Sequence, residues 1–179
     1  MVEMPATQVW IGRGIYVGLC FLIIFFQLLP LDSRPQVFPW PDLLLVVTLV
    51  WVARRPEYAP MLAIALIFFV TDMLFQRPPG LWAALVLILT EVIRKRSAQF
   101  RKSSVILEWM AVAGGMIALT LAYRLILIVS MTPAPPLGLS LLQLIMSVLA
   151  YPMVVTVAHF AFRVSRPAQG AVDSLGHRL

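Results

Sequence analysis

The sequence is poor in charged residues and in cysteine, and each shortage excludes a class of protein. Only 12% of its 179 residues are charged, whereas a soluble domain carries about a quarter, so an ordinary soluble domain is excluded. Its single cysteine, Cys20, lies inside the first apolar run and excludes an intrachain disulfide framework.

The sequence also lacks the short motifs of common catalytic and ligand-binding sites. It contains no G-x-S-x-G, no P-loop and no H-E-x-x-H, and its 2 histidines have no metal-ligand spacing. No basic stripe with interleaved aromatic residues forms a separate domain, which excludes nucleic acid as an expected partner. We therefore predict no enzyme activity, no cofactor and no metal site.

What the sequence has in excess is apolar residues. It is 61% hydrophobic with a mean hydropathy of +0.92, and apolar runs recur along the whole chain with short polar breaks between them. This pattern is typical of an all-α polytopic membrane protein, because helices satisfy their backbone hydrogen bonds within each segment. The bilayer is therefore expected to be the main solvent.

The apolar runs predict a membrane domain of residues 1–163 with six spans, at about 14–29, 42–53, 61–75, 80–93, 105–131 and 137–162. The second, third and fourth spans are shorter than the ~20 residues needed to cross a bilayer. An alternative with four spans, in which the second and third form a re-entrant hairpin, stays open. We predict a hydrophilic loop at 94–104 and a disordered cytoplasmic tail at 164–179.

The distribution of Lys and Arg predicts the orientation. With the N-terminus inside, 11 of the 14 basic residues fall on the cytoplasmic side. Arg34 and Arg77 fall on the outer side, and Arg124 lies inside a span. The positive-inside rule therefore predicts a multi-pass protein with both termini in the cytoplasm, its basic residues contacting anionic lipid.

Three ionisable residues in or near the spans are candidate sites. Asp42 begins the second span, where it is expected to cap the helix. Arg124 lies about 10 Å inside the outer end of the fifth span at 1.5 Å per residue, where an unpaired Arg costs several kcal/mol. Asp72 has a similar depth, so we predict an Asp72–Arg124 ion pair, with Asp42 as second candidate partner. Snorkelling of Arg124 and helix capping are the alternatives.

Small residues in the fifth span form two pairs at the spacing that permits close helix approach. Gly114 and Ala118 form one pair, and Ala111 and Gly115 form the other. Whether they pack inside the bundle or against a partner helix stays open.

Polar residues near the inner ends of the spans are interpreted as interfacial. Glu91 is placed to pair with Arg94 at i+3, and Glu108 begins the fifth span, where a carboxylate suits the helix N-terminus. His159 lies near the inner end of the last span.

The middle of the chain resembles a known family. A Pro-preceded aliphatic span ends in an aromatic segment and "RP", in "PDLLLVVTLVWVARRPE". It is followed by an apolar span carrying Asp72, the turn "QRPPG" and the helix "LWAAL". The last span, "VLAYPMVV" with Pro152, also looks like the final helix of this family. These segments resemble the rod shape-determining protein MreD family.

This resemblance implies a non-enzymatic scaffold of the cell-wall elongation machinery in the bacterial inner membrane, which maintains rod shape. The implied partners are MreC, RodA with its transpeptidase, and MreB filaments indirectly. The implied fold is a six-helix bundle similar to the substrate-binding subunits of energy-coupling-factor transporters. The candidate structural or partner-binding residues are Asp42, Asp72, Arg124, Gly114, Gly115, Ala118 and Pro152.

The fold similarity also supplies an alternative function. Such a bundle could serve as the small-molecule-binding subunit of a membrane transporter. Its outward-facing pocket would be lined by Asp42, Asp72, Arg124, Trp40 and Trp82.

Overall fold

A computed structural model describes residues 6–29, 39–100 and 104–162. These residues form six helices, α1 (Ala6–Leu28), α2 (Leu43–Arg54), α3 (Met61–Leu74), α4 (Leu81–Phe100), α5 (Val105–Val129) and α6 (Leu137–Phe162). No strand occurs in these ranges, so the all-α prediction is confirmed. The predicted tail at 164–179 lies outside the described residues.

Three of the helices in the described ranges are long and apolar enough to cross a membrane, namely α1, α5 and α6. Helices α2 and α3 are apolar but have only 12 and 14 residues. The three long helices indicate a membrane protein.

Helix α4 is longer than predicted. It continues to Phe100, through most of the segment expected to be a loop. Two causes are visible. The added residues include Arg, Lys, Ala and Gln, which favour helix, and Ser97 and Phe100 are buried against the protein. The side chain of Arg94 also donates hydrogen bonds to the carbonyls of Pro56 (2.9 Å) and Ala59 (2.8 Å), which holds the α2–α3 connection against α4.

Helix α2 forms the centre of the bundle. Every residue from Leu44 to Arg54 is buried, and the helix packs chiefly against α4 and α6 and also against α1. Helix α3 packs on α4, and α5 packs on α4 and α6. A helix that is apolar all round is expected at such a central position.

Helix α2 begins beside the middle of α6 and not beside its start. The backbone N–H of Asp42 donates to the hydroxyl of Ser147 at 2.8 Å. Ser147 lies about 15 Å along α6 from Leu137 at 1.5 Å per residue. The first half of α6 therefore extends past the beginning of α2, and a space is left beyond the N-terminal end of α2.

Pro152 lies inside α6 and creates a contact between α5 and α6. Because proline has no backbone N–H, the carbonyl four residues earlier, that of Val148, loses its helical donor. The indole N–H of Trp109 donates to this carbonyl at 3.0 Å. The proline thus frees an acceptor, and the neighbouring helix satisfies it.

We expect Trp109→Phe to destabilise the protein by about 1–3 kcal/mol, since it leaves the Val148 carbonyl without a donor. Pro152→Ala restores the N–H of residue 152, so Trp109→Phe should cost clearly less in a Pro152→Ala background. The measurement is a double-mutant cycle of unfolding in mixed micelles. Equal costs of Trp109→Phe in both backgrounds would contradict this coupling.

Candidate functional site

Asp42 caps the first turn of α2 as predicted. Its Oδ1 accepts the backbone N–H of Leu45 at 3.0 Å, and its own N–H donates to Ser147. The Ser147 hydroxyl in turn donates to the carbonyl of Gln143 at 2.7 Å. The beginning of α2 is therefore anchored on α6 as well as capped locally.

Asp72 caps a different helix from its own. It is fully buried near the end of α3, and its Oδ2 accepts the backbone N–H of Ala83, in the first turn of α4, at 3.1 Å. Gly80 precedes α4 and has no side chain to cap it, with φ 82°. Asp72 supplies the missing cap from across the turn, so it fixes the geometry of the α3–α4 hairpin.

The predicted ion pair between Asp72 and Arg124 does not form. Arg124 instead donates to the hydroxyl of Ser140 at 2.9 Å, and the carboxylate of Asp72 accepts the backbone N–H of Ala83. The second candidate, Asp42, does not pair with Arg124 either within the described ranges. The prediction matched residues by depth, but depth along a helix does not specify the direction in which a side chain points.

A cavity of about 490 Å³ lies above the start of α2, and we call it the Asp42 cavity. Its lining includes Asp42, Arg77, Trp82, Tyr123, Arg124 and Ser140. Of the residues predicted to line an outer pocket, Asp42, Arg124 and Trp82 do so, whereas Asp72 and Trp40 are not in the lining. The volume lies within the roughly 300–1,000 Å³ of small-molecule pockets.

Two turns at the rim of this cavity use the left-handed conformation without glycine. Gln76 follows α3 with φ 53°, and Met131 follows α5 with φ 51°. The residue after each bonds back into its helix, Arg77 to the Asp72 carbonyl and Thr132 to the Leu127 carbonyl. This helix-ending motif turns the chain sharply and brings Arg77 to the cavity.

The two pairs of small residues in α5 have different environments. Gly115 faces α4 so closely that a Cβ there would lie 2.5 Å from a methyl group of Leu89. Gly114 and Ala118 are exposed, and a Cβ at Gly114 would meet nothing within 4 Å. One pair therefore packs inside the protein, and the other lies on its surface.

Helix α1 carries a further outward pair that the sequence analysis did not identify. Gly14 and Gly18 have the G-x-x-x-G spacing, are both exposed, and have no atom within 4 Å of a Cβ built at either position. In the sequence, only the four-residue spacing of Gly14 and Gly18 indicates a surface for close helix packing.

Glu108 was also misjudged, because the sequence indicated an interfacial carboxylate. It is fully buried. Its Oε1 accepts from Nε of Arg54 at 3.2 Å and from the hydroxyl of Tyr151 at 2.7 Å. The cluster joins the end of α2 to α5 and α6, and both charges are withdrawn from solvent.

The other two residues interpreted as interfacial, Glu91 and His159, are not buried. Glu91 and Arg94 form the predicted i,i+3 ion pair at 3.4 Å. His159 is exposed near the end of α6. Within the described ranges no group of three His, Cys, Asp or Glu side chains could hold a metal ion.

Comparison of the chain with protein-family models, with curated proteins and with solved structures finds no match. The function must therefore be argued from the residues and the geometry described above.

We expect Asp72→Ala to destabilise the protein by about 1–2 kcal/mol, because the first turn of α4 loses its cap. Asp72→Asn keeps a side-chain oxygen for the Ala83 N–H. It should retain most of the stability, since Oδ1 of Asp72 has no hydrogen-bond partner in the described ranges to lose. Thermal unfolding in detergent measures both variants. An equal loss in the two would show that the cap is not the stabilising contact.

We expect Glu108→Leu to cost about 3–5 kcal/mol, because it leaves Arg54 charged and buried without its carboxylate. Adding Arg54→Met should recover most of that loss, since an apolar pair removes both desolvation costs. Denaturant titration in mixed micelles gives the values. The control is Glu57→Leu, which removes a more exposed pair with Arg55 and should cost at most about 1 kcal/mol. A double variant as unstable as Glu108→Leu would refute the pairing.

Proposed function

We propose that this protein is a non-enzymatic membrane scaffold of the MreD type, which binds MreC and organises the peptidoglycan synthases of cell elongation. In this proposal all six helices form a bundle within the bacterial inner membrane, similar to the substrate-binding subunits of energy-coupling-factor transporters. The resemblance of the segments from Pro41 to Leu85 and around Pro152 supports it.

The observation that carries the proposal is the presence of two outward pairs of small residues on different helices. Gly14 and Gly18 lie on α1, which packs on α2 and α3, whereas Gly114 and Ala118 lie on α5, which packs on α4 and α6. Helices associate within a bilayer mainly through close packing at small residues. Two such surfaces on separate parts of the protein suit a scaffold that holds two partners.

The partners follow from the same resemblance. MreC would dock through its single span, and RodA with its transpeptidase would dock at the other surface. MreB filaments would be linked through the assembly rather than directly. The excess of Lys and Arg on the side expected to be cytoplasmic, 11 residues against 2, supports an orientation with both termini inside.

The test is a detergent pull-down of the tagged full-length chain from its native membrane, with all recovered proteins identified. We expect MreC and the wall-synthesis enzymes. Gly114→Leu should remove one partner and Gly18→Leu the other, because a bulky side chain prevents close helix approach. Ala84→Leu, at an exposed position of α4, is the matched control and should change neither. Recovery of neither partner, or loss of the same partner in both glycine variants, would overturn the proposal.

The Asp42 cavity favours a second candidate, the small-molecule-binding subunit of a membrane transporter. A cavity of this size, lined by both apolar and polar residues, suits a small ligand that would enter from one side of the membrane. Recovery of paired ATPases with a membrane coupling subunit in the same pull-down would favour this candidate over the scaffold.

A further inference from the structure

The lining of the Asp42 cavity carries two positive charges, Arg77 and Arg124, and one negative charge, Asp42. Arg77 and Arg124 both line it, and neither forms an ion pair with a carboxylate in the described ranges. Trp82, also in the lining, is 8% exposed, and its indole N–H has no acceptor in those ranges. Asp42 is an acid of the lining, and one of its two carboxylate oxygens, Oδ1, accepts the Leu45 N–H. The lining therefore suits a ligand rich in acceptors.

The guanidinium of Arg77 is held in place by aromatic rings. Its central carbon lies 5.5 Å from the ring centre of Phe75 and 5.2 Å from that of Trp82. The Trp82 ring packs edge-on against Tyr123, with 5.0 Å between the ring centres. Such stacking leaves the edge of the guanidinium, with its N–H donors, available for an anion. Binding then costs less ordering of the side chain.

Arg124 gives the second argument. It lies within α5, a helix apolar enough to cross a membrane, and a charge at such a depth needs compensation. Its one hydrogen bond in the described ranges goes to the neutral hydroxyl of Ser140. A guanidinium has five N–H donors, so most of those of Arg124 have no acceptor in the described ranges, and Arg124 lines the cavity.

We propose that the Asp42 cavity binds an anionic group of the phosphate or carboxylate type on the guanidinium groups of Arg77 and Arg124. The group could belong to the headgroup of a membrane lipid or to a water-soluble molecule, because both present the same oxygens. The inference rests on the cavity and not on the scaffold role, so the two can fail separately.

The test uses the full chain in phosphatidylcholine nanodiscs. Phenyl phosphate and benzoate are titrated by calorimetry at constant ionic strength, with benzyl alcohol as the uncharged match. A second preparation contains phosphatidylglycerol, and the lipid retained after detergent extraction is counted by native mass spectrometry. Saturable binding of a soluble anion alone identifies a water-soluble ligand. Retention of phosphatidylglycerol that weakens phenyl phosphate binding identifies a lipid headgroup.

Variants locate the binding. Arg77→Gln and Arg124→Gln should each weaken binding by about tenfold or more, because a charge-assisted hydrogen bond is lost. Arg124→Lys should weaken it less than Arg124→Gln. Arg96→Gln removes the same charge at an exposed position outside the lining and should leave binding unchanged. Arg77→Gln still tests the site if changes at Arg124 prevent folding.

Three outcomes would overturn the proposal. The first is that neither saturable anion binding nor retained phosphatidylglycerol is found. The second is that benzyl alcohol binds as well as phenyl phosphate. The third is that Arg96→Gln loses as much binding as the cavity variants. If Arg124→Gln loses the anion but still recovers MreC, the site is independent of the scaffold. If MreC is absent from every pull-down while anions still bind, the scaffold role alone fails.

Discussion

The rest of the structure depends on the burial of α2 from Leu44 to Arg54. Helix α2 has 12 residues, or about 18 Å at 1.5 Å per residue, which is shorter than the hydrocarbon core of a bilayer. Its end at Arg54 is buried and its start at Asp42 is partly buried, and unsatisfied backbone groups and charges are costly at buried positions. Asp42 and Ser147 satisfy its beginning. At its end Glu108 accepts from the guanidinium of Arg54 and also from the hydroxyl of Tyr151.

The same short helix creates the space that gives the protein a candidate site. Because α2 begins beside the middle of α6, the surrounding helices extend past it and enclose the Asp42 cavity. The turns after α3 and α5 close sharply around that space, and Asp72 holds the first of them by capping α4. The contacts that stabilise the core thus also position Arg77 and Arg124.

The surface and the interior use small residues and proline differently. Gly115 and the carbonyl freed by Pro152 serve contacts between neighbouring helices, with Leu89 and Trp109 respectively. A Cβ built at Gly14, Gly18 or Gly114 would meet nothing within 4 Å. A residue type that signals close packing can therefore mark either an internal contact or a surface for a partner, and the two cannot be separated by spacing along the chain.

The sequence by itself determined what depends on near neighbours in the chain. Apolar runs predicted the six helices, and the Asp42 cap and the Glu91–Arg94 pair were predictable because their partners lie three residues away. Only the tertiary structure decided the partners of Glu108 and Asp72. The partner of Glu108 is Arg54, 54 residues away on α2, and the partner of Asp72 is Ala83, across a turn on α4. The reason is physical. An apolar helix can be rotated about its own axis and still bury a similar apolar area. A few polar contacts therefore decide how two such helices face each other. Sequence spacing does not encode those contacts.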